Sequence, residues 1–577
     1  MAMSNEETSV QRTQHAFLVA WGWFAGETSL IEKFQALALK QKTRTHSPQS
    51  KVLEFIVGTL AGMQHLQELS LSAHPLDCDC VVAQAWGQSG WADYSGVSRT
   101  LSALSWPEVQ AIVTVLEEVS QPYLQAELQR LRLSGKRLRI DGDLTGLPVS
   151  NTSRTYPNAA YGHMDDEIRL GYQAGVVSLV SPTYGRIWLS ATHHPGDTVS
   201  STQAEALVLE AERRLGKRPK RRTELLCKRI DDLEPHLMQI QERVETQQKA
   251  IQHAQARQDE AQKQIQDQQI RVDILEKHYQ ARRREERPTS QLAMARQRFQ
   301  MLARRLKRRE TAQLSVNQRL AKTQAQWKKE LAERASLMER LKRFEQDNAA
   351  NPDPVEAEFR LDAGFGSYQN AALLAEMGYE VYTKSPSQQL TDSLKRQLNA
   401  TTTYTRVGAN AEMVVWPQRS LTNCPYPFDV ALERFYTGST LKHSTLLHYG
   451  SDLVTQDLPA WFNHYNGRQI IEAGIKEGKQ VFYLHKIKVR SEPAIYLQEC
   501  CVLFAANFIR WASHWLAEQA QPVKHALDVR KLSIKRQVQV AAHVSAQVIR
   551  NSEGRLLRFS SNSAFAGKVL QIPGGRL

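Results

Sequence analysis

Apolar positions recur along this chain with more than one period, and the changes of period divide it. Residues 1–130 read as helical: Ala16 to Trp23, Ser29 to Leu39 and Lys51 to Leu71, shorter pieces near Val81 and Ser98, and a helix opened by Pro107. Between 131 and 210 the texture turns extended, with a short strand at Arg137 to Ile140 and a strand pair at Ala174 to Pro182 and Gly185 to Ala191. Thr202 to Leu215 is again helical and is expected to lead straight into residues 211–350, which hold no glycine after Gly216. There the spacing 4, 3, 4, 3 runs from Leu233 through Leu237, Ile240, Val244, Gln247, Ile251, Ala254, Gln258, Ala261, Ile265, Gln268, Val272 and Leu275 to Tyr279, a heptad seam with three polar interruptions. Pro288 forbids continuation, Ser290 offers a new cap, and Leu292, Phe299, Leu302 and Leu306 restart a stripe that reaches Leu341. Two arms of about 50 residues would fold back as an antiparallel coiled coil roughly 75 Å long.

Beyond the arms, residues 351–385 alternate strand (Ala357 to Leu361), helix (Gln369 to Met377) and strand (Glu380 to Lys384). Residues 386–455 carry strand signals at Tyr404 to Trp416, Phe428 to Tyr436 and Thr445 to Tyr449, 456–520 read as helical, and 521–577 as a β-containing tail. The pattern is that of a mixed α/β sheet interrupted by a helical insertion. A helical amino-terminal domain precedes it, in which Ser95 to Leu101 could open a DNA-reading helix.

Charge sharpens this picture. The 577 residues carry 74 Lys and Arg against 60 Asp and Glu, a net +14, and residues 211–350 alone hold 34 against 20. The excess therefore belongs to the coiled coil, which reads either as a solvated dimerisation or spacing element or as a DNA-backbone contact. Six scattered cysteines form no disulfide framework or zinc spacing and fit a reducing cytoplasm. Neither a signal peptide nor a membrane span is expected, because the longest apolar stretch, Cys501 to Leu516, is interrupted by Asn507, Arg510, Ser513 and His514.

Three acids stand where a sheet or its covering helix would present them. Asp141 ends the Leu138 to Ile140 strand, with Asp143 as an alternative two residues on; Asp362 runs into the loop Ala363-Gly364-Phe365-Gly366; Glu472 lies in a helix expected to begin near Leu458. On that helix Tyr465, Arg468, Glu472 and Lys479 are spaced 3, 4 and 7 and share one stripe. Gly474 and Gly478 interrupt it, which implies close packing or a weakened helix. Trp416 reads as a buried ring or a base-stacking platform, and His443, His448 and His464 lack metal-ligand spacing.

The Tyr-x2-Arg-x3-Glu-x6-Lys spacing resembles the Y-R-E-K signature of bacterial insertion-sequence DDE transposases. Leu138 to Pro148 is similar to the first-aspartate strand of that family and Arg360 to Tyr382 to its second block. His194-Pro195-Gly196-Asp197 resembles the loop after its third strand, and Val538 to Phe559 its carboxyl-terminal strands. The resemblance covers roughly residues 85–210 and 351–560. It implies an RNase H-like catalytic core carrying the coiled-coil and β-rich insertions; Asp141 and Asp362 are 221 positions apart, and without the 140-residue insertion 81 remain, as such a core needs. It further implies two Mg²⁺ ions, replaceable by Mn²⁺, on Asp141, Asp362 and Glu472, with Tyr465, Arg468 and Lys479 gripping phosphates. The expected activity is cleavage and strand transfer at the ends of a transposable element, performed on double-stranded DNA by a nucleoid-associated homodimer. The alternatives are a nuclease on the same core and a catalytically inactive architectural DNA-binding protein.

Overall fold

In the computed structural model, which describes residues 9–42, 45–151, 155–164, 167–283, 289–520, 524–551 and 554–573, the extended run at Arg137 to Ile140 continues to Pro148. The resulting strand, Leu138–Pro148 (β1), pairs antiparallel with Glu167–Ser181 (β2), which pairs with Gly185–Pro195 (β3). On its other side β1 runs parallel to Ala357–Arg360 (β4), itself parallel to Glu380–Lys384 (β5). A short strand, Ala160–Met164, pairs with the start of β2. The segment expected as a separate β-rich insertion instead prolongs this sheet. Ala411–Arg419 (β6), Phe428–Thr437 (β7) and Thr440–Tyr449 (β8) form an antiparallel meander whose last strand joins β5, so the order reads β3-β2-β1-β4-β5-β8-β7-β6. The strand signal at Tyr404 is cut short. Val407 and Gly408 donate back to the Ala411 carbonyl in a turn, which leaves only Thr405–Arg406 paired with β6.

Helices cover both faces of the sheet, the arrangement that buried parallel strands require. On one side lie Ala204–Leu215 (the helix after β3) and Tyr368–Glu376 (between β4 and β5), where the Tyr379 hydroxyl donates to Glu212 at 2.9 Å. On the other lie Leu458–Asn466 and Gln469–Val481. In chain order Trp106–Leu133 is α1, Ala204–Leu215 α2, Tyr368–Glu376 α3, Leu458–Asn466 α4, Gln469–Val481 α5 and Glu492–Gln519 α6. A capping box opens α1: Ser105 donates its N–H and hydroxyl to Glu108 at 2.9 and 2.7 Å, with Pro107 in the first turn. The interrupted apolar stretch belongs to α6, where Asn507 is buried and explains its own presence. Its side chain accepts from the Trp188 N–H at 2.9 Å and donates to the Trp188 carbonyl at 2.8 Å, closing the edge of β3. No helix among the described residues is long and apolar enough to cross a membrane.

Two compact units result: residues 1–220 with 353–577, and 221–352. The expected amino-terminal domain is thus not a separate unit. Its first strand, Ser9–Thr13, pairs with Ala546–Asn551 near the other end of the chain, in a small sheet completed by Gly554–Phe559 and Val569–Pro573. The expected continuous passage from α2 into the arms is also absent, because Gly216 ends α2 in the left-handed region (φ +62°).

The second unit consists of the helices Thr223–Ala281 and Thr289–Ala349, which pair antiparallel through Arg229–Glu333 at 2.8 Å, Arg334–Glu234 at 2.5 Å and Arg296–Glu276 at 2.5 Å. Leu237, Ile240, Val244, Ala261 and Val272 fill the first helix's seam, and the polar interruption Gln268 is satisfied by donating to the Ala295 carbonyl at 3.0 Å. The arms are longer than expected, about 90 Å at 1.5 Å per residue. The proline break at Pro288 lies outside the described residues.

Candidate active site

The extension of β1 changes which acid faces which. Asp141 is in mid-strand, opposite Arg360 in the β1–β4 register, and both are buried. Arg360 grips it with a fork, Nε to Oδ1 at 2.6 Å and Nη2 to Oδ2 at 2.7 Å, and spends its remaining nitrogen on the His464 carbonyl at 2.7 Å. Burial pushes the Asp141 carboxyl above its ordinary range against the pull of that guanidinium. Both of its oxygens are spoken for. The sequence reading of Asp141 as first metal ligand is corrected accordingly: a carboxylate 0% exposed and held on both oxygens by an arginine has no face left for an ion.

Asp143, two residues on and on the same face of β1, is differently placed. The parallel pairing of β1 and β4 ends at Asp141–Arg360, so Asp143 stands beside the point where the chain leaves β4 at Leu361 and Asp362. Its side chain is 13% exposed, and burial pushes its carboxyl up to about 6; Arg468 pulls it down and Asp362 repels it upwards. Asp362 is half-buried at the head of its loop, where its Oδ1 accepts the Phe365 N–H at 3.2 Å. That loop turns tightly because Gly366 lies against the backbone of β5: a Cβ there would sit 1.9 Å from the Lys384 carbonyl oxygen.

The signature stripe closes over these acids, but not as one regular helix. At the joint between α4 and α5, Arg468 N–H reaches Tyr465 O at 3.0 Å and Ile471 N–H reaches Arg468 O at 2.9 Å, a tightened three-residue turn. Tyr465 faces inward and is 5% exposed, and its hydroxyl donates to the Leu361 carbonyl at 3.2 Å. It fixes the strand end that leads to Asp362, and its hydroxyl is committed there and not turned out toward a phosphate as expected. Arg468, also buried, donates from Nη1 to Asp143 at 3.3 Å and from Nη2 to Glu472. Burial works against its charge, but Asp143, Tyr465, Glu472 and Asp362 together raise its affinity for the proton. Glu472 is 54% exposed at its side chain, and Lys479 is half-buried two turns further along α5. The structure therefore gathers Asp143, Asp362, Arg468 and Glu472 beside the carboxyl end of β4, where its parallel pairing with β1 stops, the kind of place where open α/β sheets hold ligands. With Arg468 between them, the three carboxylates do not all lie within 4.8 Å of one another.

The two glycines of α5 have different causes. At Gly474 a Cβ would fall 2.2 Å from the guanidinium carbon of Arg186, a buried side chain that donates to the Ile470 carbonyl and lies 3.6 Å from Glu477. At Gly478 it would meet Val502 at an ordinary 3.6 Å. Gly474→Ala is expected to cost about 1–3 kcal/mol through overpacking, whereas Gly478→Ala should be neutral or stabilise by up to about 1 kcal/mol; equal denaturation midpoints for the two variants would contradict this contrast.

Elsewhere, Trp416 is half-buried with Arg419 over its ring at 5.9 Å. Among the described residues, Glu380, His448 and Asp452 offer ligand atoms within 4.8 Å of one another, but their bonds are already made. His448 lies between Asp429 at 3.1 Å and Glu380 at 3.3 Å, and Arg137 holds Asp452 at 2.6 Å. Sequence reasoning missed Arg360 and Arg186. The available signal was an arginine inside a short strand flanked by Phe359 and Leu361, two residues before Asp362 and hence on its face. No protein-family model and no curated protein sequence matches this chain.

Proposed function

We propose that the protein is a DDE-type transposase that breaks and joins DNA phosphodiester bonds, with Asp143, Asp362 and Glu472 as its acidic triad. The observation that carries this reading is the juxtaposition of Asp143 and Asp362 where the parallel pairing of β1 and β4 ends, under a helix that supplies Arg468 and Glu472. Connectivity supports it. Once residues 221–352, the short strand Ala160–Met164 and the segment 388–449 are set aside, three strands, a helix, a fourth strand, a helix, a fifth strand and then the signature helix follow one another, as an RNase H-like core would require.

The donor set is carboxylate oxygen only, the kind that Mg²⁺ and Mn²⁺ take, and the repulsion between Asp143 and Asp362 is of the sort a divalent cation relieves. Bound there, two such ions would activate water or a DNA 3′-hydroxyl and stabilise the leaving oxygen. The chain's own groups do the positioning. Tyr465 anchors the end of β4 and the Asp141–Arg360 pair ties β1 to it, Arg468 orients Asp143 and Glu472 with its two terminal nitrogens, and Lys479 adds a point charge for a phosphate further along α5. Joining two DNA ends calls for two active sites, so the active form in this reading is a homodimer.

The deciding experiment incubates purified protein with duplexes carrying the DNA that flanks its gene and Mg²⁺. Cleavage followed by joining is expected. Cleavage without joining would mark a nuclease, and binding without any cleavage an architectural protein. A second readout needs no substrate. Metal binding requires the Asp143 carboxylate, so the rise in Tm produced by Mg²⁺ should be full at pH 7–8 and fade as pH falls through about 6. A Mg²⁺-induced rise of equal size at pH 5 and pH 8 would count against Asp143 as a ligand.

A further inference from the structure

The charge outside the coiled-coil arms is not evenly spread. Residues 521–577 hold ten Lys and Arg against two Asp and Glu, whereas 1–210 and 351–520 together hold 30 against 38. The apparent balance of the non-arm residues therefore conceals a net +8 at the carboxyl end, against a net −8 in the part that bears the candidate active site. A basic segment attached to an acidic catalytic unit is where a polyanion would be held.

Folding concentrates part of this charge on the small sheet. Thr13, Ala546 and Phe559 are buried, and the next residue along each strand points the other way. The pairing aligns those outward residues in a single cross-strand row, Arg12 opposite Gln547 and Gln547 opposite Arg558. Both arginines are exposed. Two strand spacings put their backbones about 10 Å apart, and duplex DNA presents about one charge per 1.7 Å of axis, so several phosphates fall within that span. The row borders a groove of about 600 Å³ with Ser560 and Ser561 on its wall and, among the described residues, no carboxylate in its lining. Among the described residues no acid pairs with either guanidinium, and Lys568, exposed, lies beside the groove's Gly567 and Val569. Arg12 comes from the first described strand and Arg558 from the end of the chain, so only the folded protein has this row.

We infer that the Arg12–Gln547–Arg558 row and its groove bind the phosphodiester backbone of double-stranded DNA, independently of base sequence and apart from the acidic site. The inference rests on the DNA-directed reading above for the identity of its polyanion. Guanidinium forks match phosphate oxygens, Gln547 adds an amide donor, and backbone contacts of this kind position a duplex without reading it.

The test uses the full-length protein in EDTA, where metal-dependent cleavage is silent, and fluorescence anisotropy of a labelled 30-base-pair duplex of arbitrary sequence between ~50 and ~200 mM NaCl. Arg12→Gln with Arg558→Gln is expected to weaken binding about tenfold and to reduce the slope of log Kd against log salt by about 2, equally on a second unrelated sequence. Arg12→Lys with Arg558→Lys should keep most of that slope, because the charge is retained. A Gln double variant with wild-type affinity and slope would overturn the inference, as would a Lys double variant that loses as much slope. The cleavage assay bears on the proposed function alone, so either reading can fail while the other stands.

Discussion

Asp143→Asn is expected to abolish Mg²⁺-dependent DNA cleavage, a loss on the order of a thousandfold or more, while making the metal-free protein more stable at pH 8. The loss follows from removing an anionic ligand from a two-ion site, where the ions supply several kcal/mol of transition-state stabilisation. The gain follows from the cost of the buried charge. Asp143 ordinarily titrates near 3.8 and is pushed up to about 6 in the folded protein, so folding favours its protonated form. Its contribution is favourable below about pH 4 and is lost as pH rises to 6, a change of roughly 2–3 kcal/mol. Asparagine never ionises. The variant should therefore melt roughly 2–4 °C higher than wild type at pH 8 without metal, the difference should vanish near pH 4, and Mg²⁺ should raise the Tm of the wild type alone. An active Asp143→Asn enzyme would remove this residue from the triad and with it the strongest support for the proposed chemistry.

Asp141→Asn should behave in the opposite way. It leaves the Arg360 guanidinium, 1% exposed, without its counter-ion, and breaking a buried pair from one side costs about 3–5 kcal/mol. The loss should appear as a lower denaturation midpoint at every pH at which wild-type Asp141 is ionised, with activity falling in step with the folded fraction. Replacing both partners with apolar residues of similar volume, as in Asp141→Leu with Arg360→Met, should recover much of the stability, since neither charge is then stranded. If Asp141→Asn folds as stably as wild type yet no longer binds Mg²⁺, the roles of the two aspartates are the reverse of those argued above. Together the two variants separate a ligand from a support two residues away on one strand face.

That distinction marks how far the residue pattern reaches. The seam from Leu233 to Tyr279 was legible because a helix has one period and each seam position must be apolar or find a partner, as Gln268 does on Ala295. The strands β1 to β5, β7 and β8 were legible in kind, though β1 and β2 run longer than their apolar cores, because pairing extends a strand through residues that composition alone would assign to a turn. Asp141 was read as a strand-end ligand for that reason. Its interior position became visible only when β1 was found to continue to Pro148.

The glycines of α5 make the same point. Both are plain in the sequence, yet only the tertiary structure shows that Gly474 makes room for Arg186 and that Gly478 does not have to be glycine.

By itself the sequence determined the mixed α/β class, the antiparallel arms with their excess of positive charge, and the set of acidic and basic residues from which a site could be built. Period, composition and spacing are local properties, and a reader of the chain has all of them. Only the tertiary structure decided that the β-rich segment prolongs the main sheet, that Asp143 and not Asp141 faces Asp362, that Tyr465 is buried on Leu361, and that Arg12 joins Arg558 across 546 positions of chain. These are questions of register and long-range pairing. A shift of one residue turns a side chain to the opposite face of a sheet, and no local pattern fixes the strand that a given strand will meet.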